Sequence, residues 1–169
     1  VEAPVLVGPG QNYHVYEPSP KQLADLADAP FFFQMAFPFQ KRVIAKMASA
    51  NPRLRVVNLL EGIVLRPMDE EPCDEHPGHH HGNMDPHVWL NPLNAKIIAR
   101  NMARAFKDSD PAYEAGYSAN LETLEKELDA LHARVAAILE PFKGRTFYVY
   151  HPAFGYFADA YGLKQVSVE

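Results

Sequence analysis

Thr146-Phe147-Tyr148-Val149-Tyr150-His151-Pro152-Ala153-Phe154-Gly155-Tyr156-Phe157-Ala158-Asp159-Ala160-Tyr161-Gly162-Leu163-Lys164-Gln165-Val166-Ser167-Val168 decides the fold class. Thr146–Tyr150 is aromatic and β-branched and predicts a strand. His151-Pro152 is a switch point, and Ala153–Tyr161 predicts a short helix that Gly162 ends. Gln165–Val168 predicts a further strand. Strand, helix and strand in close succession imply α/β architecture with parallel pairing.

Upstream, Lys143-Gly144 makes a turn and Pro141 stops a long helix. That helix, about Pro111 to Glu140, carries Leu121, Leu124, Leu128, Leu131, Val135 and Ile138 at amphipathic spacing. A second helix is expected from about Pro92 to Phe106. Nearer the start, Ala3–Val7 predicts a short strand broken by Gly8-Pro9-Gly10. Ser19 is placed to cap a helix with Pro20 at its first position, and Leu23, Leu26 and Ala27 form its apolar face. Phe31–Met35 predicts a buried strand. Pro38 opens a helix with Val43, Ile44 and Met47 on one side, and Leu54–Leu59 predicts another strand. The polar stretch from about Pro67 to Met84 is a loop long enough that function or disorder must explain it. No internal repeat is visible.

Composition sets bounds. With 169 residues, 47% of them hydrophobic, the chain can bury a core. A net charge of −5 points away from nucleic acid and from anionic membrane surfaces. No apolar run is long enough to span a bilayer, and no signal peptide stands at the start. Val1 opens in mid-pattern, as in a processed or trimmed protein. The single cysteine, Cys73, excludes an internal disulfide and a Cys-rich zinc site.

The histidines carry the chemistry. His76, His79, His80 and His81 lie in a Pro/Gly-broken tract beside Asp69, Glu70, Glu71, Asp74 and Glu75. The tract is either a solvated loop or a collector of cations with weak, fluctuating affinity. His87 differs. It sits in Asp85-Pro86-His87-Val88-Trp89-Leu90-Asn91-Pro92, a stiff turn that leads into a helix. His14 follows the Gly-Pro-Gly loop, and His151 ends a strand. Open α/β sheets bind ligands beyond the carboxyl ends of their strands, which favours His14 and His151, with His87 reaching in from a loop. Singly, each histidine reads as easily as an ordinary loop residue. Together they point to a metal, since neutral imidazole is the commonest protein metal ligand. His132, among Leu128, Leu131 and Val135, reads as a solvated or interface residue. Tyr13, Tyr16, Trp89, Tyr150, Phe154 and Tyr156 read as core, or as a dry shell around a site.

Four ordered features now resemble a known family. They are Gly8-Pro9-Gly10…His14…Glu17-Pro18-Ser19-Pro20, the His-rich loop, Asp85-Pro86-His87-Val88-Trp89-Leu90-Asn91-Pro92, and Tyr150-His151-Pro152-Ala153-Phe154-Gly155-Tyr156-Phe157. The chain resembles the metal-binding solute-binding proteins of bacterial ABC transporters, most of all the zinc-uptake (ZnuA-type) branch. The resemblance covers essentially the whole chain. It implies His14, His87 and His151 as Zn²⁺ ligands; His76, His79, His80 and His81 keep the weak, accessory role that their loop suggests. Manganese-type members resemble this pattern but carry a glutamate at the third position, so His151 favours zinc.

The resemblance also implies an organisation. Residues 1–110 would form an N-terminal metal-binding lobe lacking its first strand and helix. Residues 111–140 would be a long linking helix, and residues 141–169 the beginning of a C-terminal lobe. The implied function is non-enzymatic: capture of Zn²⁺ in the periplasm, or from a lipid anchor on the outer face of the cytoplasmic membrane, and delivery to an ABC permease. The fourth position would be empty, or filled by water, by Glu17 or by a residue outside the chain. The alternative is a zinc hydrolase with a three-histidine site. It lacks an obvious general base such as a His-Glu-x-x-His helix, Glu17 being the only nearby candidate.

Overall fold

The computed structural model describes residues 6–10, 16–35, 37–68 and 84–168. The chain divides into two compact units, Val1–Leu60 and Glu61–Glu169. Both are α/β in construction.

In the first unit, helix α1 (Pro20–Asp25) starts as the sequence predicts. The Ser19 side chain accepts from the Gln22 backbone N–H at 3.3 Å, and Gln22 Oε1 accepts from the Ser19 N–H at 3.0 Å. This reciprocal capping box satisfies two N–H groups that the helix leaves open. Strand β1 (Phe31–Gln34) and strand β2 (Arg55–Asn58) pair in parallel, with Phe32 opposite Val56. Helix α2 (Pro38–Ala50) makes the crossover. Val43 and Met47, one turn apart, are both buried, and with Tyr16, Phe32 and Phe39 they form the core. Of the strand expected over Ala3–Val7, residues 3–5 lie outside the described residues. Leu6 and Val7 form a bend instead. They pack against the core, and the Leu6 carbonyl accepts from Tyr16 Oη and Gln22 Nε2 rather than from a neighbouring strand.

In the second unit, Asn91 caps helix α3 (Pro92–Ser109) by accepting from the Leu93 N–H at 2.9 Å, with Pro92 at the first position. Helix α4 (Glu114–Leu139) follows a 3-10 turn at Pro111–Tyr113. The two helices run antiparallel. Lys96 pairs with Asp129 at 2.5 Å, and Arg100 pairs with Glu125, so partners descend on one helix as they ascend on the other. The partners are partly solvated, and each pair contributes no more than about 1 kcal/mol. The sunken side of α4 carries Leu121, Leu128 and Val135, together with Glu125 and His132. Leu124, Leu131 and Ile138 are exposed, so only half of the predicted apolar stripe is covered.

The fold-deciding stretch forms strand β3 (Thr146–Val149), helix α5 (Gly155–Tyr161) and strand β4 (Lys164–Ser167). The strands pair in parallel, with Phe147 opposite Gln165. Gly162 ends α5 in the left-handed region at φ 68°, where a side chain would be strained. His132 follows the interface alternative: it is half-buried, and its Nδ1 lies 3.1 Å from the hydroxyl of buried Tyr161 on α5.

Candidate metal centre

His87 and His151 meet in the second unit. His87 caps the 3-10 turn Val88–Leu90 that precedes α3. His151 lies between the end of β3 and the start of α5, at the carboxyl end of its strand. Their Nε2 atoms are 3.2 Å apart, and the rings meet edge to face with centroids 5.0 Å apart. His87 is 1% exposed, whereas His151 is exposed.

The orientation of His87 has a local cause. Asp85, two residues earlier across Pro86, turns its carboxylate back on the chain. Its Oδ1 accepts from the His87 backbone N–H at 2.9 Å and faces His87 Nδ1 at 2.7 Å. A carboxylate only accepts, so Nδ1 carries the proton and the lone pair stands on Nε2, the atom that faces His151. The ring also lies near Trp89, centroids 5.5 Å apart.

Asp85 is fully buried, and an isolated carboxylate there would be costly. Arg66 answers it, with Nη1 3.3 Å from Asp85 Oδ2. The backbone joins in: the Asp85 N–H donates to the Arg66 carbonyl at 2.9 Å, beside an antiparallel bridge between Pro67 and Met84. Tyr156 on α5 closes the cluster. Its hydroxyl accepts from the Arg66 N–H at 3.0 Å and donates to the Asp85 carbonyl at 3.2 Å. Burial raises the Tyr156 phenol above its ordinary value, as do Asp85 and Asp159, while Arg66 opposes them; the hydroxyl stays protonated and able to donate.

Two imidazole nitrogens converging on one point can share a cation. Ligand nitrogens at Zn–N distances of 2.0–2.1 Å on a tetrahedral ion stand roughly 3.3 Å apart. Among the described residues, no group of three or more His, Cys, Asp or Glu converges. His14, His76, His79, His80 and His81 lie outside the described residues, as do Tyr13 and Cys73. Glu17 is exposed and sits 3.7 Å from Lys46 Nζ. Of the aromatic residues expected around a site, Tyr16 and Tyr156 are buried, but Tyr150 is 73% exposed. Sequence reading missed the roles of Arg66 and Asp85. Asp85 has a local signal, an acceptor two residues before a histidine with proline between. Arg66 has none, since its partners are distant in sequence.

A high-affinity zinc uptake system protein ZnuA from Brucella abortus is 44% identical over 83 residues, covering 49% of this chain and 25% of that protein. The zinc-binding lipoprotein AdcA of Streptococcus pneumoniae is 30% identical over 97% of this chain and 34% of its own length. A zinc-bound crystal structure of a ZnuA deletion mutant superposes with a TM-score of 0.86 at 33% identity, covering 100% of this chain and 62% of that one. The chain thus spans a quarter to a third of these curated relatives. No helix among the described residues is long and apolar enough to cross a membrane. The profile described as zinc-uptake complex component A, periplasmic, matches residues 1–169, and the protein belongs to that family.

Proposed function

We propose that the protein captures Zn²⁺ outside the cytoplasmic membrane, in the periplasm or from a lipid anchor, and delivers it to the permease of an ABC importer. The observation that carries this reading is the 3.2 Å spacing of His87 Nε2 and His151 Nε2, which suits two ligands of one tetrahedral zinc ion. His14 is the third ligand that the sequence motif implies. His76, His79, His80 and His81 would serve as weaker accessory ligands. The lobes follow the same reading: residues 1–110, a linking helix over 111–140, and the start of a second lobe over 141–169.

The role is binding and release, not hydrolysis. Neutral imidazoles hold zinc through nitrogen, and the carboxylate behind His87 keeps the correct nitrogen free. Softer nitrogen donors prefer Zn²⁺ over the harder Mn²⁺. Calorimetric titration with both ions, on this chain and on a longer form of the protein, tests the reading. Tight Zn²⁺ binding that weakens as pH falls from about 7.5 to 5.5, where protons compete for imidazole, is expected. An affinity flat across that range would assign the ion to carboxylates. Ester hydrolysis by the zinc-loaded protein would favour the hydrolase.

A further inference from the structure

Arg66 lies far from His87 in sequence, yet its guanidinium is built into the support of that ring. The Asp85 carboxylate has two oxygens with different duties. Oδ1 takes both contacts from His87, the backbone N–H at 2.9 Å and Nδ1 at 2.7 Å. Oδ2 faces Arg66 Nη1 at 3.3 Å. With Oδ2 engaged, the carboxylate cannot rotate without breaking contacts on both sides.

Helix α5 provides the seat for Arg66. Asp159 Oδ2 lies 3.0 Å from Arg66 Nε. Gly155, one turn earlier on the same face, leaves the guanidinium its space. A Cβ on Gly155 would stand 1.6 Å from Arg66 Nη1, 2.5 Å from Cζ and 2.8 Å from Asp85 Oδ2. Only glycine fits beneath the arginine. The same helix carries Tyr156, which accepts from the Arg66 N–H. The arginine side chain is 20% exposed, so its pairing is partly shielded from water.

We propose that Arg66 is a positioning residue for the metal site: seated on Gly155 between Asp85 and Asp159, it holds the Asp85 carboxylate and thereby fixes the Nδ1–H tautomer and the ring orientation of His87. The proposal rests on the reading of His87 as a zinc ligand. Outer partners of metal-bound histidines are worth about 10–100-fold in affinity. Arg66 acts one contact further out, so the low end of that range is expected.

The test uses the full chain and the variants Arg66→Met, Arg66→Lys, Gly155→Ala, Asp159→Ala and His87→Ala. Zinc affinity is measured by titration with ZnCl₂. The His87 tautomer is measured by long-range ¹H–¹⁵N NMR of the metal-free protein, a readout that a loss of stability alone leaves in place. Arg66→Met should weaken zinc about tenfold and mix the two tautomers. Arg66→Lys should restore part of both, since the charge returns without the planar fork. Gly155→Ala should reproduce Arg66→Met, and the double variant should be no weaker than the stronger single one. Asp159→Ala should show a smaller loss of the same sign. If Arg66→Met does not fold, Gly155→Ala and Asp159→Ala decide. Wild-type affinity and an unmixed tautomer in the folded variants, with binding lost in His87→Ala, would overturn the role of Arg66 and leave the zinc reading standing. Tight zinc binding by His87→Ala would overturn both.

Discussion

The two parallel β-α-β units of this protein are built for different ends. In β1-α2-β2 the crossover helix has 13 residues and sinks Val43 and Met47 into a core with Phe32. In β3-α5-β4 the helix has 7 residues. What α5 buries is Gly155, Tyr156, Ala158 and Tyr161. Two of these serve polar work, Tyr156 by bonding Arg66 and Asp85, and Gly155 by leaving room for the guanidinium. The same supersecondary plan therefore stabilises one unit through apolar packing and in the other holds the Arg66–Asp85 cluster behind His87.

The sharpest way to break this contrast is at His87. His87→Ala should lower zinc affinity by more than about a hundredfold, above the cost of losing an outer partner. Calorimetry on a folded variant checks it. Retained tight binding would mean the second unit is not organised around a metal. Next comes Met47→Ala. A buried methionine cut to alanine should cost at least about 2 kcal/mol, read by urea unfolding. Zinc affinity of the folded protein should stay within about threefold of wild type, a difference of under 1 kcal/mol. A collapse of affinity in folded protein would show that core and site are not separable.

A smaller effect is expected at His151→Glu. A hard oxygen replaces a nitrogen, and the preference for Zn²⁺ over Mn²⁺ should narrow, although zinc still binds more tightly under the general order of divalent affinities. Competitive titration of both ions reads it, and an unchanged ratio would place His151 away from the ion. Least of all should change on joint replacement of His76, His79, His80 and His81. Only weak, additional binding should disappear. Loss of the tight site in this variant, with His87→Ala unaffected, would reverse the assignment.

Much of this was legible because the signals are local. Ser19-Pro20 announced its helix through capping chemistry, and the cap forms; the helix expected from Pro92 also forms, with a cap from Asn91 that was not foreseen. Val43 and Met47 announced the buried face of α2 through helical spacing. The phase of α4 was harder. Leu124, Leu131 and Ile138 look like core by spacing but are exposed, while Glu125 and His132 lie on the sunken side. Hydropathy cannot separate two adjacent stripes when one is covered partly by ion pairs and a tyrosine hydroxyl. The Asp85-Pro86-His87 motif marked His87 as a candidate ligand, but not the carboxylate that orients its ring. Arg66 was invisible, because its link to Tyr156 spans 90 residues and leaves no periodic trace.

The bridge between Pro67 and Met84, with the Asp85 N–H on the Arg66 carbonyl, ties two points of the chain together at the edge of the site. The entropy of closing a segment rises only with the logarithm of its length, about 0.6 kcal/mol for each doubling. The sequence between such a clasp can therefore be lengthened, shortened or exchanged like a cassette, at little thermodynamic cost to the residues outside it. On the reading proposed above, a change in the number of histidines there would leave the spacing of His87 and His151 in place.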